Sequence, residues 1–286
     1  MSRHSIGSIV VRHNPVTQWE QFEETLLPGV FLDPEPEHRD IGGFYAMKYR
    51  LIPESLEHAL DYLHHGIQRE VIAYNTAGKI DWEGYINYVI VDTGTVRKKA
   101  TLSNKFNTAW ARYDPGTGVT TSTLKTVAAS VARYGTIEKV FSIETTSSDV
   151  ADQAVEAQLR WNAYPAPVAD KIIPYGSLYE TGVQVEIGCL GWWHTLDYRT
   201  YDQSVSSGDV NLSALISTII AAKGQFVDST YIEENTTQVE QKIEGNRKVR
   251  SIVENFAGYG DSLYRRWITG VRENREFYFM AGAQTQ

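Results

Sequence analysis

Apolar residues recur along the chain at i, i+3, i+4 and i+7, the spacing of one buried helix face. Leu56, Ala59, Leu60 and Leu63 lie between Pro53-Glu54-Ser55 and Gly66, which predicts a capped helix of about three turns. The spacing returns at Leu124, Val127, Ala128 and Val131 before Gly135. It returns again at Leu212, Leu215, Ile216 and Ile219 before Gly224, and at Val249, Ile252, Val253 and Phe256 before Gly258. A further helix is predicted from Ser148 to Ala163, with Val150, Ala154, Val155 and Leu159 on one face and Pro165 ending it. Each helix carries a single apolar stripe, so each must lie on a sheet or on another helix.

Between the helices the period changes to two. Ile80 to Val91 alternates, Asp92-Thr93-Gly94-Thr95 turns the chain and Val96 to Ser103 returns, which reads as a hairpin. Trp267 to Arg272 and Glu276 to Met280, joined by the turn Arg272 to Arg275, read as a second. Val183 to Leu190 and Gln225 to Ile232 are further alternating runs. The two hairpins echo each other: Trp82, Gly84 and Asn87 open one, Trp267, Gly270 and Asn274 the other. The expected fold is α+β, with two small β-barrel-like domains and short amphipathic helices packed on and between them. The division runs as an extended N-terminal arm (1–41), a first barrel-like domain (42–120), a helical connecting segment (121–180) and a second barrel-like domain with two helices (181–286). The arm reading rests on Pro15, Pro28, Pro34 and Pro36, and on Asp33 to Asp40, which is polar and without a period. Such a stretch buries little and is expected to order against a neighbouring molecule.

Composition narrows the function. The 286 residues carry a net charge of −8 and have a pI near 5.4, which argues against binding nucleic acid by phosphate neutralisation. One cysteine excludes an intrachain disulfide framework and a cysteine-rich zinc module. Near the N-terminus the only apolar run is Ile9-Val10-Val11, too short for a signal-peptide core, and nothing approaches the roughly 20 apolar residues of a spanning helix. A soluble protein with no membrane partner is expected. Aromatic residues reach 12%, with 17 Tyr and 7 Trp, a composition suited to half-buried sheets and protein interfaces.

No catalytic constellation emerges. His64 and His65 end the first helix, where adjacent side chains diverge by about 100° and cannot easily share a metal. Cys189 and His194 offer a nucleophile and a base, but Cys189 closes an apolar strand, where a free cysteine behaves as a small buried hydrophobe. Asp81 and Glu83 fit one exposed strand face, and Glu233-Glu234 a strand end. GxGxxG and P-loop patterns are absent, and Asn235-Thr-Thr matters as a sequon only in a secreted protein. No catalytic, cofactor or metal site is therefore expected. The most unusual stretch is Trp192-Trp193-His194-Thr195-Leu196-Asp197-Tyr198-Arg199-Thr200-Tyr201. Trp192, Trp193, Tyr198 and Tyr201 are candidates for a protein interface, or alternatively for a platform on which sugars stack.

Several segments in order resemble tail-tip or baseplate hub proteins of tailed bacteriophages, the siphophage-type minor tail proteins. They are Gly42 to Met47, Arg69 to Asn75, Trp82 to Asn87, Thr101 to Asn104 and Trp110 to Tyr113. Ser130-Val-Ala-Arg-Tyr134-Gly135-Thr-Ile-Glu138, Cys189 to Arg199, and Gly258 to Ser262 with Arg266 to Gly270 complete the series. The resemblance spans about Gly42 to Ala281. It implies a trimeric, pseudo-sixfold ring that joins the tail tube to the tip and lines part of the DNA channel. Its neighbours would be the distal tail ring, the tape measure and tip or fibre proteins, in a virion assembled in the host cytoplasm. The chain is short for a hub and lacks an appended lysozyme or peptidase domain, so a reduced hub, part of a split hub or an adjacent ring protein fits as well.

Overall fold

The computed structural model describes residues 5–17, 20–172, 182–205 and 208–282. The first part is rich in strands: β1 (Ile6–Arg12), β2 (Glu23–Leu26), β3 (Phe31–Arg39) and β4 (Ile41–Leu51) precede α1 (Leu56–His65). Then come β5 (Glu70–Asn75), β6 (Ile80–Asp92), β7 (Val96–Thr101), β8 (Thr108–Tyr113) and the two-residue strands β9 (Thr120–Thr121) and β10 (Lys125–Thr126). Helices and strands alternate next in α2 (Ala128–Tyr134), β11 (Glu138–Ser142), α3 (Ser148–Asn162) and β12 (Val168–Ile172). β13 (Gln184–Gly191) leads through a 3₁₀ segment, Trp192–Asp197, to β14 (Thr200–Gln203), β15 (Asp209–Asn211) and α4 (Leu212–Lys223). The chain closes with β16 (Ser229–Ile232), β17 (Gln238–Glu240), β18 (Ile243–Lys248), α5 (Val249–Ala257), β19 (Trp267–Arg272) and β20 (Glu276–Ala281).

The helices begin and end where their capping chemistry puts them. The Ser55 side chain accepts the His58 N–H ahead of α1, and Ser147 accepts that of Val150 ahead of α3, satisfying donors that a helix start leaves free. α4 buries Leu212, Leu215, Ile216 and Ile219, and α5 buries Val249, Ile252, Val253 and Phe256, the stripes read from the sequence. α2 is shorter than its periodicity predicts. Leu124 is exposed, Lys125–Thr126 pairs with β8 instead, and the helix starts only after Val127.

A twelve-stranded sheet forms the body, in the order β16-β20-β19-β4-β13-β6-β5-β1-β2, with β3 on β4, β7 on β6 and β12 on β7. It curls into a half-barrel, and the class is α+β. The long β6 holds it together: it pairs with β13 through Gly84–Asp92, with β5 through its first half and with β7 through its second. Strands from both expected barrels meet here, since β13 sits between β4 and β6, and β19 pairs with β4. One shared sheet therefore stands where two separate barrels were expected. The boundary at 180/181 lies outside the described residues.

The arm reading is corrected in the same way. β1 lies between β5 and β2, and Ile9 and Val11 are fully buried. Three consecutive apolar residues, too few for a membrane, suffice for an inner strand. β3, expected to be irregular, runs along β4 with a register shift between Leu32 and Glu35. Its Pro34 and Pro36 are tolerated because an edge strand has amides that need no ladder partner. A smaller sheet, β10-β8-β11 with β9 on β8, carries α3 on one face, which buries Ala151, Val155 and Leu159.

The echoing tryptophans, Trp82 on β6 and Trp267 on β19, are both buried, but in the one sheet. Gly270 does have a specific job. A Cβ there would lie 2.5 Å from the Gly42 carbonyl carbon and the Gly43 nitrogen, where β19 runs parallel to the start of β4. Gly270→Ala is expected to push these strands apart and lower stability by about 1–3 kcal/mol. Urea unfolding measures this, and an unchanged midpoint would refute the close contact.

Candidate functional site

The Trp192–Tyr201 stretch forms no platform. Gly191 ends β13, and the chain winds into the 3₁₀ turn Trp192–Asp197, fixed by the Thr195 hydroxyl donating to the Trp192 carbonyl at 2.6 Å. Trp192 stacks on Phe226 at 5.5 Å, and Trp193 on Phe277 at 6.4 Å. Tyr198 meets Tyr85 and Phe226 edge-on, and the Tyr201 hydroxyl donates to Gln203. All four candidates are buried, so they join the sheet to the segment after α4 and to the C-terminal hairpin rather than offering rings to a partner. The interface assignment is corrected on that ground: the tandem tryptophans are core.

The Ser130–Glu138 segment explains itself through hydrogen bonds. The Ser130 hydroxyl donates to the Ala163 carbonyl at 2.5 Å, tying α2 to the end of α3. Gly135 adopts φ 71°, a left-handed conformation that other residues adopt at a cost, and its carbonyl accepts from the Asn107 amide at 2.7 Å. Glu138 closes the set. Its carboxylate accepts from Arg199 Nε at 2.9 Å and from the Thr200 N–H and hydroxyl at 2.7 and 2.9 Å, while its carbonyl accepts from Lys248 Nζ at 2.9 Å. One residue thus pins β11 to β14 and to the start of α5.

Beside this node lies a cleft of about 300 Å³, whose lining includes Asn87, Lys105, Lys139, His194, Asp197 and Lys248. Burial lowers the Lys248 ammonium below its ordinary pKa and raises the Asp197 carboxyl. Burial, with the Arg250 charge, pushes the His194 imidazole down to about 4. His194 is therefore neutral at pH 7, and its Nδ1 accepts from Arg250 Nη1 at 2.9 Å, while Arg250 Nη2 pairs with Asp197 at 2.7 Å. The chain Asp197–Arg250–His194 holds α5 against the 3₁₀ turn. Cys189 sits on β13 in register with Met47 and Ile86, buried, with its thiol pKa raised by desolvation. A buried neutral thiol is a poor nucleophile, and the His194 ring is engaged with Arg250 and with Tyr45, 4.5 Å away.

Glu83 corrects another expectation. It is 3% exposed, not on an open face, and its carboxylate accepts the Asn274 N–H at 2.8 Å. Asn274 and Arg275 both have left-handed backbones in the β19–β20 turn, so Glu83 fixes a strained loop from across the sheet. Desolvation, aided by the nearby Glu70 charge, pushes its pKa up to about 7 despite the Asn274 donor and Arg275. The folded state thus keeps a proton that the unfolded chain releases near 4.5. Stability then falls as pH rises from about 4.5 to 7, by about 3 kcal/mol in all. Glu83→Gln, which keeps the acceptor, should match the parent protein near pH 4.5 and exceed it by up to about that amount at pH 8. Urea melts at both pH values test this; equal stabilities at pH 8 would contradict it.

The remaining candidates are occupied structurally. His65 Nδ1 bonds Asp61 at 3.0 Å, and the His64 carbonyl accepts from Arg133. Glu233, at the end of β16, accepts the Ala281 N–H, and Asn235 is buried and donates to the Gly260 carbonyl. Among the described residues no group of three metal-ligating side chains gathers, and no helix is long and apolar enough to cross a membrane. In the loop between α5 and β19, Leu263 and Tyr264, which no sequence pattern singled out, are exposed together with Tyr259. The available signal was an apolar pair, Leu263-Tyr264, in a turn that no helix or strand period claims.

No protein-family model matches the chain, and no curated protein matches it. Among solved structures it is similar to the 43 kDa tail protein of prophage MuSo2 from Shewanella oneidensis, at 7% identity and a TM-score of 0.44. That alignment covers 98% of this chain and 56% of the other, so the chain spans little more than half the length of the protein it matches.

Proposed function

We propose that this chain is a non-enzymatic structural subunit of a bacteriophage tail, placed at the tail tip or baseplate hub. The observation that carries the reading is where five of the tail-like segments fall. Trp267 to Gly270, Gly42 to Met47, Cys189 to Gly191, Trp82 to Asn87 and Glu70 to Asn75 lie on β19, β4, β13, β6 and β5, five consecutive strands of the sheet. Segments far apart in sequence, each weak alone, come together in one continuous, largely buried stretch of sheet.

In this role the subunit forms a homo-oligomeric ring, a trimer by the hub resemblance, between the distal tail ring, the tape measure and the tip or fibre proteins. DNA passes without specific binding, and a net charge of −8 repels it. The protein belongs to the virion and reaches it from the host cytoplasm. The sugar-platform reading loses its basis, because the rings it needs are enclosed. Disrupting this chain in the phage that encodes it should give filled heads without complete tails by electron microscopy. Normal tails would overturn the proposal.

A further inference from the structure

Three lysines from separate parts of the chain reach the cleft beside Glu138: Lys105 from the loop after β7, Lys139 from β11 and Lys248 from the residue before α5. Local geometry puts them there. The Leu102 N–H donates to the Asn87 carbonyl at 2.9 Å and the Lys105 N–H to the Leu102 carbonyl at 3.0 Å, so the chain folds back in a tight turn beside β6. Asn104 takes φ 62° in that turn, a left-handed conformation that asparagine tolerates better than most residues. The Asn87 side-chain amide donates to the Ser103 hydroxyl at 3.3 Å, and Asn87, Ser103 and Asn104 all line the cleft. Lys248 is anchored from its own side by donating from Nζ to the Glu138 carbonyl at 2.9 Å.

The acids on the same wall are already bonded. The Glu138 carboxylate is taken up by Arg199 and Thr200, and Asp197 pairs with Arg250 at 2.7 Å. Among the described residues no carboxylate pairs with Lys105 or Lys139. Burial lowers the Lys248 pKa, and the Lys139 charge adds to this against the pull of Asp197 and Glu138, so two ammonium groups lie close enough to repel. Leu102, Phe106 and Ile137 supply an apolar part of the lining, which strengthens any charge interaction there. In a chain of net charge −8, the cleft is a local concentration of positive charge.

No arginine is among the described residues that line it. The planar fork that suits a lone carboxylate is therefore missing. Ammonium groups on separate elements act instead as point charges, which suit oxygens spread in three dimensions, as on a phosphate. A volume of about 300 Å³ is at the lower end for small-molecule sites. We propose that this cleft binds a small phosphate-type polyanion, held by Lys105, Lys139 and Lys248 and oriented by the side-chain amides of Asn87 and Asn104. Bound there, the anion ties the turn after β7 to β11 and to the start of α5. The site stands apart from the tail role, and neither depends on the other.

Isothermal titration calorimetry of the full chain with inorganic pyrophosphate tests it. The expected result is saturable binding that weakens as salt rises. Lys105→Gln and Lys139→Gln, each checked for an unchanged thermal melt, should bind roughly 10-fold more weakly, the scale of one hydrogen bond to a charged group. The double variant should show no saturable heat. Lys79→Gln, in the exposed turn between β5 and β6 and outside the cleft, should bind as the wild type does. Inorganic phosphate, which reaches fewer of the lysines, should bind more weakly than pyrophosphate. A wild type without saturable binding, cleft variants that bind like wild type, or an equal loss in Lys79→Gln would overturn the proposal. A short DNA duplex or a glutamate-rich peptide that displaces pyrophosphate at lower concentration than phosphate does would overturn the small-anion assignment.

Discussion

A chain lacking residues 1–12 is expected to fail to fold, rather than to remain a folded subunit without its arm. β1 is an inner strand, paired to β5 on one edge and β2 on the other. Its loss removes Ile6, Ile9 and Val11 from the core, worth roughly 5–9 kcal/mol together at the usual value per buried aliphatic side chain. A domain's whole stability is about 5–15 kcal/mol, so the loss is of the same order as the whole. The loss also strips a partner from β5, whose Val71, Ile72 and Ala73 then sit on an open edge that invites aggregation. The segment after β1 is tied down as well: buried Arg69 pairs with Glu20 at 2.7 Å and lies over the Phe22 ring at 3.5 Å. Circular dichroism and limited proteolysis read the outcome. A truncated chain that melts cooperatively within a few degrees of the full one would show that the arm reading was right and the sheet order wrong.

The second large effect is expected at Trp193. Its ring is 0% exposed, and it stacks on Phe277 of the C-terminal hairpin. Trp193→Ala deletes the largest kind of side chain from a site that cannot collapse around the gap, because the backbone of β4 and β19 frames it. The expected cost is about 3–5 kcal/mol, read as a lower urea midpoint. A binding platform predicts the opposite pattern, in which an intact melt accompanies the loss of a ligand. A variant with unchanged stability would return Trp193 to the surface.

What the sequence made legible was local. The spacing Leu56, Ala59, Leu63 between Ser55 and Gly66 gave α1, and Asp92-Thr-Gly94-Thr gave the β6–β7 turn, where the Asp92 side chain accepts the Gly94 N–H at 2.8 Å. What it hid was which strands are neighbours. Nothing in Val185, Ile187 and Cys189 says that β13 lies between β4 and β6, because a period of two marks a strand and not its partners. Glu83 was misplaced for a related reason. Residues 82–86 are all buried because the sheet is covered on both faces there, and alternation cannot report a second covered face. The Trp192 to Tyr201 stretch misled through its chemistry. Aromatic and basic residues crowd together at interfaces, but here Gly191 turns the chain inward and Arg199 is held by Glu138. The α5–β19 loop stayed unread because its order comes from one aspartate bonding backbone amides two and four residues ahead, a device without a period.

The proposed structural role in a phage tail is tested most directly by immunogold labelling of purified particles with antibodies to the folded protein. Gold clustered at one end of the tail, with the chain present at fixed copy number in the purified virion, is the expected result. Particles that carry no label and contain none of the chain would contradict it.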